Sequence, residues 1–153
     1  MYWSKPRTGI IAKADMDGSN VKEIISGLIS PAGIAVDFDS RRIFWVEWSG
    51  ARIQSSNLDG TDVQLVLQLS RNTYPWGIAV TGQRLFWGGN SGSLQSSNKS
   101  GQDIRTLDNG TSSILHLTLA APNPVHTRLN HCEKQACSDG ICVLTSNSFR
   151  CVT

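Results

Sequence analysis

Four cysteines, three histidines, a scatter of carboxylates and five tryptophans are the residues of this 153-residue chain with chemistry to offer. The cysteines fall in the last 22 residues as Cys132-x4-Cys137-x4-Cys142-x8-Cys151. In a secreted context an even set of this kind reads as a disulfide framework, and four cysteines allow three pairings between which spacing does not choose. A zinc site is the rival. It lacks a Cys-x2-Cys pair, and His126 and His131 do not stand at a finger spacing. Asp37, Asp39, Glu47 and Asp62 offer carboxylates, but no two share a defined spacing on one element and no histidine lies near them in sequence. They are expected to be solvated loop acids and turn formers, with Asp17 and Asp59 in turns. No catalytic group, metal or cofactor is expected. Histidine as a residue type can serve as a switch in an acidified compartment, which makes His116, His126 and His131 candidates for pH sensing. Asn98-Lys99-Ser100 and Asn109-Gly110-Thr111 are glycan acceptors by motif, making Asn98 and Asn109 candidate sites.

The tryptophans recur. Tyr2-Trp3, Phe44-Trp45 and Phe86-Trp87 place a tryptophan every 42 residues. A turn mark follows each pair, ending at Gly18, Gly60 and Gly101, and a Pro-x-Gly-Ile-Ala-Val mark precedes two of them, at Pro31–Val36 and Pro75–Val80. Three marks in one order at one period define a repeat. Within it the residues are β: an apolar run after a proline, a β-branched and aromatic run (Arg42–Trp48), a third strand (Ala51–Ser56), an Asp59-Gly60 turn and a fourth strand (Val63–Leu67). Four short strands in about 40 residues is one blade of a β-propeller. Recurrence makes Tyr2, Trp3, Phe44, Trp45, Phe86 and Trp87 packing positions. Trp48 and Trp76 do not recur at every repeat and are the candidates for ligand contact.

The elements that carry these residues divide the chain. Residues 1–120 are expected to be about three blades (near 1–28, 29–70 and 71–110, with a closing strand at 114–119). Residues 121–130, with Pro122 and Pro124, read as a linker, and 131–153 as a cysteine module. A net charge of +2, with no basic cluster, gives no footprint for nucleic acid. No apolar run approaches the length of a membrane-spanning helix, and no signal peptide is visible.

These marks resemble the Tyr-Trp-Thr-Asp repeats of the low-density-lipoprotein receptor family. Phe44-Trp45-Val46-Glu47-Trp48 stands at the motif strand, and Arg52-Ile53 to Asp59-Gly60 at the next strand and turn. The acidic motif position holds Lys5, Glu47 and Gly89 in turn, which predicts weaker polar bonding within and between blades. The resemblance implies an all-β fold: half of a six-bladed propeller followed by a truncated EGF-like module whose bridges are Cys132–Cys142 and Cys137–Cys151. It lacks the acidic cluster of the calcium-binding modules. It further implies an extracellular fragment of a cell-surface receptor, endocytic or of Wnt co-receptor type, binding a protein ligand on the propeller rim. The parent would cross the membrane once, and the open propeller face would permit self-association. A nidogen-like matrix linker and a growth-factor precursor are the alternatives. Metal-dependent lactonases share the six-bladed form, but the inward acidic set they need has no counterpart here.

Overall fold

The computed structural model describes residues 1–110, 112–119, 141–145 and 149–152. Among them the regular elements are all strands, in four antiparallel sheets. The first holds β1 (Tyr2–Lys5), β2 (Ile10–Lys13) and β3 (Lys22–Ile25). The second is β4 (Pro31–Asp37), β5 (Arg42–Glu47), β6 (Arg52–Asn57) and β7 (Gln64–Gln68), in sequence order. The third repeats it with β8 (Pro75–Thr81), β9 (Arg84–Gly89), β10 (Ser93–Asn98) and β11 (Arg105–Asn109). The fourth joins β12 (Ile114–Leu119) to β13 (Ile141–Thr145) and β14 (Phe149–Val152).

Local chemistry repeats with the sheets. In the first two units an aspartate closes the turn between the third and fourth strands of a blade. Asp17 accepts from the backbone N–H and hydroxyl of Ser19, and Asp59 does the same for Thr61. The third unit has Ser100 where that aspartate would be, and Asn98 Oδ1 takes over, accepting from Ser100 N and Gln102 N. Two residues beyond each turn glycine, Asn20, Asp62 and Asp103 sit at positive φ (55°, 54° and 51°), a region aspartate and asparagine tolerate. Arg42 then clamps Asp62 at 2.8 Å and reaches the Ser55 hydroxyl, and Arg84 clamps Asp103 at 2.7 Å and reaches Ser96. This pairing carries the period of the tryptophans.

The sheets stack through their first strands, β4 beside β8 and β8 beside β12. A glycine permits each approach. A Cβ on Gly33 would lie 2.5 Å from the Trp76 carbonyl oxygen, and one on Gly77 would lie 3.0 Å from Leu117 N. Each buried tryptophan fills the face of the sheet before it. Trp45 (0% exposed) packs with Ile11 and Ile25 of the first sheet, and Trp87 (1%) with Ala51 and Ile53 of the second. Burying a ring of 150–250 Å² is worth about 4–6 kcal/mol as an upper estimate, so these two positions dominate the stacking. Trp3 holds the same repeat position but is only half-buried, because no described sheet precedes the first.

The fourth sheet reproduces a blade in part. The β8–β9 ladder slips between Pro75 and Gly77, and the β12–β13 ladder slips between Ile114 and His116 at the matching place. Strands from the cysteine-bearing segment therefore stand where a blade's second and third strands would be. The sequence reading treats that segment as a module apart; the described strands pair with β12. The linker residues 121–130, with Cys132 and Cys137, lie outside the described residues. Cys142 and Cys151 stand opposite each other in the β13–β14 register.

Candidate functional site

Trp48 and Trp76, singled out because they break the period, meet at one rim, and Tyr74 joins them. The Trp48 ring lies 5.3 Å from Tyr74 and 5.8 Å from Trp76, centre to centre, at tilts of 38° and 44°. Trp48 follows β5 immediately, and its N–H donates to the Ser30 carbonyl at 3.0 Å. Trp76 is the second residue of β8 and anchors its Nε1–H on Asn90 Oδ1 at 3.0 Å. Tyr74 is 40% exposed and Trp76 36%, while Trp48 beneath them is half-buried. The Trp48 Nε1–H is buried without an acceptor among the described residues.

Tyr74 is held at φ 41°, a conformation that costs a non-glycine residue about 1–3 kcal/mol, directly before a proline that itself disfavours helical backbone. The constraint comes from Gly89 and Asn90. The Asn90 N–H donates to the Tyr74 carbonyl at 3.3 Å, and a Cβ on Gly89 would lie 2.1 Å from that oxygen. Gly89 occupies the acidic motif position. The counterpart in the second sheet, Glu47, keeps its side chain and uses it: fully buried, it accepts from Ile29 N at 2.8 Å and from Arg52 at 2.9 Å. At this position the third unit has given up a polar side chain and gained a close-packed aromatic loop.

The turns at the two rims differ in charge. Among the described residues the aromatic rim is formed by 6–9, 26–30, 48–51, 69–74, 90–92, 110, 112 and 113, and this set contains no aspartate or glutamate. Its cations, Arg7 and Arg71, are exposed and form no ion pair among the described residues. The turns of the opposite rim carry six aspartates, Asp15, Asp17, Asp39, Asp59, Asp62 and Asp103, together with the cations Arg41 and Lys99. Asp37, at the end of β4, is buried rather than solvated as the sequence suggested. It pairs with Lys99 of the third sheet and with the Ser40 hydroxyl, tying two blades together on the acidic side. Burial raises its carboxyl, but the Lys99 ammonium and the Ser40 bonds outweigh it and leave the group below its ordinary 3.8. Glu47 likewise departs from the solvated expectation, because the Arg52 guanidinium lies on the adjacent strand.

The other candidates are dispersed. Phe44 is buried, while Tyr2 and Phe86 are half-buried, the Tyr2 hydroxyl donating to the Leu58 carbonyl at 3.1 Å. Lys5, the first occupant of the acidic motif position, pairs with Glu23 at 2.8 Å. Asn98 is half-buried in its turn and Asn109 is exposed on β11. His116 is exposed on β12, while His126 and His131 lie outside the described residues. No group of three or more metal-binding side chains occurs among the described residues. Sequence reasoning missed Tyr74 and the Arg–Asp clamps. The clamps have a sequence signal, the common period of Arg42/Arg84 and Asp62/Asp103, whereas Tyr74 is a serine (Ser30) in the neighbouring unit.

Comparison with known proteins agrees with this architecture. Residues 1–38 match the low-density lipoprotein receptor repeat class B. The vitellogenin receptor of Solenopsis invicta is 31% identical over 96% of this chain, which spans 8% of that protein's length. The vitellogenin receptor Yl of Drosophila melanogaster is 34% identical over 94% of the chain, which spans 7% of it. Among solved structures, a nidogen/laminin complex superposes with a TM-score of 0.77 at 24% identity, covering 99% of this chain and 55% of the other. A streptogramin B lyase superposes at 0.70 with 12% identity, covering 97% of this chain and 45% of the lyase. At these identities both structures share the fold alone.

Proposed function

We propose that this chain, a run of low-density lipoprotein receptor class B repeats, is a non-catalytic, extracellular, ligand-binding part of a cell-surface receptor, and that the ligand is a protein docking on the rim built by Trp48, Tyr74 and Trp76. The aromatic cluster carries this reading. Large aromatic side chains left partly exposed, close together and held in a strained loop are what interface hot spots use. The two relatives are named for vitellogenin, and an endocytic receptor for a cargo of that class is the form of the proposal we favour over a Wnt co-receptor. Acid-triggered release through His116 belongs to the same proposal, as does glycan attachment at Asn98 and Asn109.

The test is binding of the immobilised chain to purified vitellogenin, with laminin as the matrix-protein alternative. Trp48→Ala and Trp76→Ala are expected to weaken the cargo by at least about tenfold each, the usual loss at a hot spot. Equal binding by wild type and both variants sinks the rim assignment. Aromatic-dependent binding to laminin alone favours the matrix-linker reading.

A second surface belongs to the proposal because of Trp3. The faces that cover Trp45 and Trp87 are preceding blades, so the natural cover for Trp3 is another blade, from the same polypeptide or a second copy.

A further inference from the structure

We infer that the partner segment received by the aromatic rim is acidic as well as apolar: a loop or extended peptide carrying aspartate or glutamate beside a hydrophobic anchor. This deepens the rim reading above and rests on it. The apolar half of the argument is the ridge around the aromatic trio. Besides Trp48, Tyr74 and Trp76, Ile29 (50% exposed) precedes β4, and Leu115 (51%) stands on β12 where Trp76 stands on β8. The ridge thus runs from the second sheet to the fourth along the inner-strand starts.

The electrostatic half is the sorting of charge. No carboxylate occurs in any turn of this rim, while six aspartates occupy the turns of the other. Glu47 is the nearest acid in sequence, and it is buried and neutralised by Arg52 at 2.9 Å. Arg71 lies in the same loop as Tyr74, closed by the Thr73 N–H on the Ser70 carbonyl at 3.0 Å, and Arg7 crowns the turn between β1 and β2. Both guanidiniums are exposed and unpaired among the described residues, with no acid in their rim's turns; Arg41 is exposed and without an ion pair too, but it stands on the opposite rim among the aspartates, and Arg42, Arg52, Arg84 and Arg105 are engaged by acids. A rim whose turns carry free cations and no acid, around an apolar ridge, attracts carboxylates and repels basic segments.

Phage-displayed random twelve-residue peptides, panned on the full 153-residue chain, test this. Binders lost on Trp76→Ala are the relevant ones. Their sequences are expected to be enriched in Asp and Glu over Lys and Arg. A synthetic peptide from that set should bind about fivefold more weakly to Arg71→Glu than to wild type, with the loss shrinking as salt rises. Arg71→Gln should fall between, and unchanged near-ultraviolet circular dichroism would show that both variants fold. Trp76-dependent peptides that are basic or uncharged, or that ignore Arg71→Glu, overturn the charge inference and leave the aromatic rim standing. A chain that yields no Trp76-dependent peptide overturns both.

Discussion

Tyr74 separates strain from use. Releasing its φ of 41° by Tyr74→Gly should return about 1–3 kcal/mol, and losing its contact with Trp48 should take away about 0.5–1.5 kcal/mol. The two nearly cancel, so urea denaturation should find Tyr74→Gly within about 1 kcal/mol of wild type while ligand binding falls. A large loss of stability instead would make Tyr74 a packing residue. Glu47 behaves in the opposite way. Arg52→Met leaves its carboxylate fully buried beside one backbone donor, which should cost about 3 kcal/mol or more. Sequence reasoning could single out Trp48 and Trp76 because they stand outside the period. The burial of Glu47 and Asp37 was not legible, because their cations arrive from Arg52 on the next strand and Lys99 on the next sheet.

At the scale of strands and turns, most of the fold could be read directly. The spacing of Trp3, Trp45 and Trp87, the prolines opening β4 and β8 and the Asp-Gly turn at Asp59-Gly60 specify four-stranded units without reference to tertiary contacts. The pairing of β12 with β13 and β14 could not be read, since the bulge at Ile114–His116 is a property of register and the residues carry no repeat mark. Two predictions belong here. Gly33→Ala places a methyl group 2.5 Å from the Trp76 carbonyl, against backbone that cannot swing aside, and should lower stability by about 1–3 kcal/mol and broaden the unfolding transition. The clamps predict a pH dependence. The Arg42 bonds hold Asp62, and the Arg84 bonds hold Asp103, below the ordinary 3.8. Carboxyls depressed on folding stabilise the native state above the unfolded value, and the contribution is lost as pH falls through the lower folded value. Stability should therefore be flat above about pH 5 and decline below about pH 4. Arg84→Met should flatten the part of that decline that belongs to Asp103; an unchanged slope would remove the clamp from the account.

For the molecule as a whole, the stack of sheets has unlike ends. Trp45 and Trp87 are sealed between blades, while Trp3 is half-buried at the leading face. Apolar area of this kind drives association, so light scattering of the purified chain should show mass rising with concentration, and Trp3→Ser should suppress the rise. Truncating Trp45 to Ala should cost about 3–5 kcal/mol and Trp3 to Ala markedly less, because part of the Trp3 ring is already in water. At the far end, His116 stands on β12 where glycine stands on β4 and β8. A strand laid beyond β12 must keep a wider gap than the one Gly33 and Gly77 permit. The uneven charge of the two rims also gives the chain a built-in optical reporter. Iodide gathers near Arg71 and caesium does not, so the emission of Trp76 should be quenched selectively by the anion. Occupation of the rim would then be visible as recovered fluorescence, with no dye attached.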